Sequence, residues 1–324
     1  MLVTAIGELL IDFTQSGETA DGYPVLTANP GGAPANFLAA VKACGHDAAL
    51  LGKVGDDAFG RRLIGTLRQK GVITDGIVTA PDVFTTLAFV TLDGAGERSF
   101  SFARKPGADT CLRPEELDLS LLDAADVLHF GTLSMTNEPA KSATLFAIER
   151  AKANRKTVSF DPNYRPALWK DEETARNAMR LGLKKADIVK LSDGEAAFLY
   201  GGLSPEAACK RLLADYPVSL VFLTRGKDGC TFATRACSGE VPVPAGIIPI
   251  DTTGAGDIFG GFALSGVLDA GIPIGRLDQK TLHAIAARAV KAATLSTTKH
   301  GGIGSVPALA DLTRKPQGED RRSE

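Results

Sequence analysis

The chain's 324 residues carry a formal net charge of −2, with 44% hydrophobic and 23% charged residues, enough apolar material for one large core or two smaller ones. Charges of both signs are scattered, and with 4 Tyr and 1 Trp there is neither a basic stripe nor a stacking platform for nucleic acid. No apolar run approaches the roughly 20 residues that span a bilayer, so neither nucleic acid nor membrane is an expected partner.

At the N-terminus, Met-Leu-Val-Thr-Ala-Ile-Gly-Glu has no basic flank and is not expected to act as a secretory signal. Leu2–Gly7 is a short β-branched run closed by glycine, the pattern of a buried strand. Asp12 follows among hydrophobic neighbours, in the position of a solvent-facing acid at a strand end. Residues 14–30 are polar. Gly31-Gly32-Ala33-Pro34-Ala35-Asn36 then has the composition of a loop and helix start, and an amphipathic stretch runs on to Gly45. Leu50–Gly55 with Asp56-Asp57-Ala58-Phe59-Gly60 reads as strand, turn and capped helix. Thr86–Leu92 and Arg98–Ala103 alternate about Asp93-Gly94-Ala95-Gly96, a hairpin pattern.

From residue 120 onward, short apolar runs at Val127–Gly131, Thr157–Asp161, Ile188–Leu191 and Leu220–Thr224 alternate with helical segments such as 139–154 and 172–184. That alternation predicts a mostly parallel α/β sheet with helices on both faces, and binding at the C-terminal edge of its strands. Asp161-Pro162-Asn163-Tyr164-Arg165, Lys190–Glu195 and Thr224–Gly229 occupy that edge, although each is also a plausible plain turn.

Ile250-Asp251-Thr252-Thr253-Gly254-Ala255-Gly256-Asp257 opens into an apolar helical stretch. Small residues at 254–256 let the backbone turn sharply and present N–H groups to an anion at a helix N-terminus. Asp257 in that first turn has two readings: a complement to the helix dipole, or a proton acceptor for a hydroxyl held beside a phosphate. Residues 297–307 are glycine-rich and polar, and 313–324 lack an apolar anchor and are expected to be disordered. Cys44, Cys111, Cys209, Cys230 and Cys237 never form Cys-x-x-Cys and read as thiols in a reducing cytoplasm. There is no P-loop, no Gly-x-Ser-x-Gly and no His-Glu-x-x-His, and Phe259 stands where a dinucleotide fingerprint needs its third glycine.

Asp-Thr-Thr-Gly-Ala-Gly-Asp resembles the C-terminal signature of the PfkB, or ribokinase-like, sugar kinases. Gly-Gly-Ala-Pro-Ala-Asn at 31–36 resembles their N-terminal signature. The resemblance runs from about Thr4 to Pro307. It implies a ribokinase-like domain over 1–312 whose lid is a small β-sheet drawn from about 8–35 and 84–106. It implies ATP and a small sugar as partners, Mg2+ with the ATP, and a homodimer formed through the lid. By the same resemblance Asp257 is the general base, within a Gly254–Asp257 anion hole (Gly254, Ala255, Gly256, Asp257) whose amides are those of Ala255, Gly256 and Asp257. Asp12, Gly31, Gly32, Asn36, Arg104, Asn163 and Arg165 are expected on the sugar, and Lys190, Ser192, Thr224, Gly226 and Gly229 on the nucleotide. Glu195 is expected to meet Mg2+ through water. Asp251, Thr253, Gly301 and Ser305 are the expected oxygen ligands of a K+ ion. Ser192 replaces an asparagine common in the family, and Ser-Asp-x-Glu with Phe-Asp-Pro-Asn-Tyr-Arg resembles fructokinase-like members. Fructose is therefore the favoured substrate, with 2-keto-3-deoxygluconate, ribose and nucleosides open. A silent sugar-binding regulator on the same fold and a nucleotide-dependent oxidoreductase are the readings from other classes.

Overall fold

A computed structural model of the protein describes residues 1–92 and 98–313. Its strands are β1 (Leu2–Ile6), β2 (Leu10–Glu18), β3 (Pro24–Gly31), β4 (Asp47–Gly55), β5 (Ile77–Ala80), β6 (Leu87–Leu92), β7 (Arg98–Ala103), β8 (Val127–Gly131), β9 (Thr157–Asp161), β10 (Ile188–Ser192), β11 (Leu220–Thr224), β12 (Cys230–Ala233) and β13 (Ser238–Val241). Its α-helices are α1 (Ala33–Ala43), α2 (Ala58–Gln69), α3 (Leu119–Ala124), α4 (Ala140–Ala153), α5 (Glu172–Leu183), α6 (Asp193–Tyr200), α7 (Pro205–Asp215), α8 (Ala255–Ala270) and α9 (Gln279–Ser296).

Among the described residues the larger sheet has nine strands in the order β13-β12-β11-β10-β9-β8-β1-β4-β5. Its pairings are parallel except β11–β12 and β12–β13 at one edge, so that β12 alone runs against the others. Successive residues of its strands go to opposite cores: Leu50 and Phe222 join one cluster, Leu51 and Leu223 the other. Helices α1, α2, α8 and α9 cover the first face, and α3 to α7 the second. Burial on both faces is why these strands read as continuous apolar runs rather than alternating ones.

The smaller sheet, β3-β2-β6-β7, pairs β2 with β6 in parallel and is otherwise antiparallel. Its strands place Asp12, Val90 and Phe102 on the cavity that residues following the larger sheet's strands also line, and it is drawn from the segments where a lid was expected. Phe13 on β2 anchors it, stacked on Phe89 at 5.4 Å and edge-on to Phe59 of α2 at 5.7 Å. Residues 14–30, legible only as polar, hold the end of β2, the turn after it and most of β3. Much of this pair is exposed, so no clean apolar alternation marks it. The turn expected at Asp93–Gly96 and the tail expected to be disordered beyond Thr313 lie outside the described residues. No described helix is long and apolar enough to cross a membrane.

Candidate active site

Helix α8 starts on Gly254, whose φ of +76° is left-handed and whose Cβ, if present, would lie 2.8 Å from Gly302 Cα. Only glycine makes that turn without strain. The first-turn amides of a helix have no intrahelical acceptor, and Gly254, Ala255, Gly256 and Asp257 all line a cavity of about 680 Å³. One expectation changes here. Ala255 N–H turns back to Thr252 O at 3.2 Å, which narrows the anion cradle to the amides of Gly256 and Asp257.

Helices α1 and α8 touch through glycine. A Cβ at Gly261 would lie 2.6 Å from both Phe37 O and Ala40 Cβ. This close approach carries Asn36 to Asp257, and Asn36 Nδ2 donates to Asp257 Oδ2 at 2.9 Å. Behind it, Phe37 stacks on His129 with ring centroids 3.7 Å apart. Burial, helped by the Lys190 charge, pushes that imidazole down to about 3, so it stays neutral. Asp257 itself is buried. Burial, reinforced by the Asp161 carboxylate, pushes it up to about 6 against the pull of Lys190, Asn36 and Arg165.

Lys190 lies under the cradle: its Nζ is 2.9 Å from Asp161 Oδ2 and would be 3.0 Å from a Cβ on Gly256. Burial pulls its ammonium down, but Asp161, Glu195 and Asp257 outweigh that and raise it, so it carries a full charge near neutral pH. Asp161 Oδ1 accepts Asn163 N–H at 3.1 Å, and Asn163 has a φ of +46°. Asn163 and Arg165 line the cavity. The Arg165 charge pulls on both Asp12 and Asp257.

Asp12 faces the same cavity from β2. Burial pushes its carboxyl up to about 7, Arg165 pulls it down, and Asp257 and Asp251 add to the rise. Gly31 does not line the cavity; a Cβ there would collide with the Asp12 carboxylate, so its role is to leave room. Gly32 does line it. Arg104 departs from expectation. It is buried and absent from the lining, and donates to Asp109, Thr136 Oγ1 and Leu133 O. A guanidinium tied up in that way braces the base of the lid instead of meeting substrate.

Two contributors to the site went unassigned in the sequence. Glu8, buried just after β1, accepts Ala33 N–H at 3.0 Å and lines the cavity. Val243, Ile247, Pro249, Val290 and Ala293 add apolar surface to the same cavity that Thr224, Gly226 and Gly229 line. Ser192 caps α6 through Glu195 N–H at 3.2 Å, and Glu195 Oε2 accepts Ser192 N–H at 2.7 Å in return, a capping box.

Asp251 is buried and accepts from Thr253 N–H, Thr253 O–H and Gly301 N–H at 2.9, 2.7 and 3.0 Å. Ser305 O–H donates to Gly302 O at 2.9 Å. Of the four residues expected to hold K+, Asp251, Thr253 and Gly301 are thus brought together, with Gly301 contributing its N–H, while Ser305 bonds to Gly302. Among the described residues no group of three or more His, Cys, Asp or Glu could hold a metal ion.

The pfkB family carbohydrate kinase model matches residues 2–309. The chain belongs to the PfkB family of carbohydrate kinases. A relative, Fructokinase-1 from Zea mays, is 41% identical over 313 residues, covering 96% of each chain. Among solved structures, fructokinase with bound ATP from Xylella fastidiosa superposes with a TM-score of 0.87 at 32% identity, covering 96% of each chain. A fructokinase double mutant from Vibrio cholerae O395, bound to fructose, ADP and a potassium ion, gives 0.84 at 32% identity with the same coverage. A PfkB kinase works by placement and charge neutralisation, since phosphoryl transfer asks little covalent chemistry of the protein. Here an acid, an amide pair and a buried lysine line one cavity together with apolar side chains.

Proposed function

We propose that this PfkB kinase is an ATP-dependent fructokinase that converts D-fructose to fructose 6-phosphate. The observation that carries the reading is the placement of Asp257, Asp12 and Asn36 on one cavity with the α8 N-terminus at its floor. Asp12 and Arg165 orient the sugar, a carboxylate accepting two hydroxyls and a guanidinium donating to others. Asp257 accepts the proton of the 6-hydroxyl as that oxygen attacks the γ-phosphorus, and ADP leaves with the electrons of the broken P–O bond. Charge on the equatorial oxygens meets the Gly256 and Asp257 amides and the Lys190 ammonium. Mg2+ brought with the ATP would supply further neutralisation of phosphate charge beside Lys190. The adenine lies against Val243, Ile247, Pro249, Val290 and Ala293, and K+ occupies the oxygen cluster about Asp251.

A homodimer through the lid belongs to the same reading. Tyr23 and Val25, at the start of the edge strand β3, are 72% and 44% exposed, apolar surface that an unpaired edge ordinarily avoids. The five free thiols favour a reducing cytoplasm. The test is ADP release with ATP and a panel of fructose, glucose, ribose, 2-keto-3-deoxygluconate and adenosine. Fructose should give the highest kcat/KM. A different preferred sugar reassigns the substrate, and sugar binding without ADP release makes the protein a regulator.

A further inference from the structure

Glu195 sits in the first turn of α6, and both of its carboxylate oxygens accept backbone amides from different segments. Oε2 takes Ser192 N–H on its own side, and Oε1 takes Tyr164 N–H across the gap to the loop that follows β9, each at 2.7 Å. That loop carries Asn163 and Arg165 into the sugar end of the cavity. It docks on α6 at a second point as well, where the Tyr164 ring stacks on Phe198 with centroids 4.5 Å apart. Asn163 is held with φ at +46°, a conformation that persists only where its surroundings enforce it. Asp161 holds the bend residue itself by accepting Asn163 N–H, and Glu195 holds the residue after it by accepting Tyr164 N–H.

We infer that Glu195 is a positioning residue for the sugar: its carboxylate ties the nucleotide-side edge of the sheet to the Asn163–Arg165 loop and so sets where Arg165 stands. The inference deepens the fructokinase reading, and its functional half rests on it. It differs from the family-based expectation for this side chain, which is contact with metal-bound water. Ser192 fits the same picture. Its short side chain serves as the cap that orients Glu195, which explains why serine suffices where many relatives carry asparagine.

Two measurements test the inference without metal or nucleotide. Amide hydrogen exchange is read on the free wild-type protein and on Glu195→Gln and Glu195→Asp. Fructose affinity is read in EDTA from the fluorescence of Trp169, the chain's single tryptophan, which lies just beyond the loop. A glutamine presents only one acceptor oxygen, and an aspartate keeps the charge but loses the reach. Tyr164 N–H should be protected in the wild type. In both variants its exchange should quicken by about tenfold or more, and metal-free fructose affinity should fall by about tenfold, the scale of one lost charge-assisted hydrogen bond. Unprotected exchange at Tyr164 in the wild type overturns the inference, as does metal-free fructose affinity that is unchanged in both variants. The exchange result does not depend on which sugar is used, so a wild-type protein that ignores fructose counts against the substrate assignment alone.

Discussion

Asn36 Nδ2 donates to Asp257 Oδ2 at 2.9 Å, joining residues 221 positions apart. The bond leaves Asp257 Oδ1 for the substrate and helps to keep the carboxylate ionised against burial and the Asp161 charge. A general base must be ionised, so kcat/KM should fall as the pH drops below about 6. Asn36→Ala removes a donor that favours the charged form, and its acid limb should move to higher pH. A pH–rate profile of both proteins checks the sign; a limb that stays put or moves down contradicts the coupling.

Two neighbouring glycines should behave oppositely in stability. Alanine at Gly256 meets only the Lys190 ammonium, at 3.0 Å, and alanine favours a helix over glycine by about 1 kcal/mol at most. Gly256→Ala should therefore keep or raise Tm while kcat/KM for ATP falls by about tenfold or more, because Lys190 is displaced from beneath the cradle. Gly254→Ala, at a φ of +76° and 2.8 Å from Gly302 Cα, should lower Tm instead, by strain of about 1–2 kcal/mol.

Glu8 gives stability a pH dependence. Burial pushes its carboxyl from 4.5 to about 7. The folded-state value lies above the unfolded one, so its contribution is complete below pH 4.5 and is lost as the pH climbs through 7. Glu8→Gln keeps an oxygen for Ala33 N–H and removes the charge. Denaturant melts should show the variant gaining on the wild type between pH 4.5 and 7, by up to about 3 kcal/mol. A constant difference across that range contradicts it.

Arg104 should prove structural. Its Nη2 lies 2.6 Å from Asp109 Oδ2, and both side chains are buried. Arg104→Ala strands that carboxylate and should cost about 3–5 kcal/mol. Arg104→Ala with Asp109→Ala should recover part of the loss in a double-mutant cycle. A stable Arg104→Ala protein with a raised KM for sugar alone would return Arg104 to the substrate.

What was legible in the sequence follows from how each part is buried. Strands β8, β9, β10 and β11 coincide with apolar runs because both faces of their sheet are covered. The strands β2 and β3 came only through family resemblance, since few of their residues are fully buried. Asp257 declares itself by its glycine-rich approach. Glu8 does not, because nothing local says that a carboxylate after a strand will be buried. The apolar wall of Val243, Ile247, Pro249, Val290 and Ala293 escaped for a related reason. Scattered over a loop and one helix, these side chains carry no pattern that separates a ligand surface from core.

The most direct measurement is the turnover of Asp257→Asn with ATP and D-fructose, read beside its melting curve. The account predicts a folded protein whose kcat has dropped by at least about 100-fold, the scale of a lost general base. Turnover close to that of the wild type would contradict it, and with it the role given to this carboxylate.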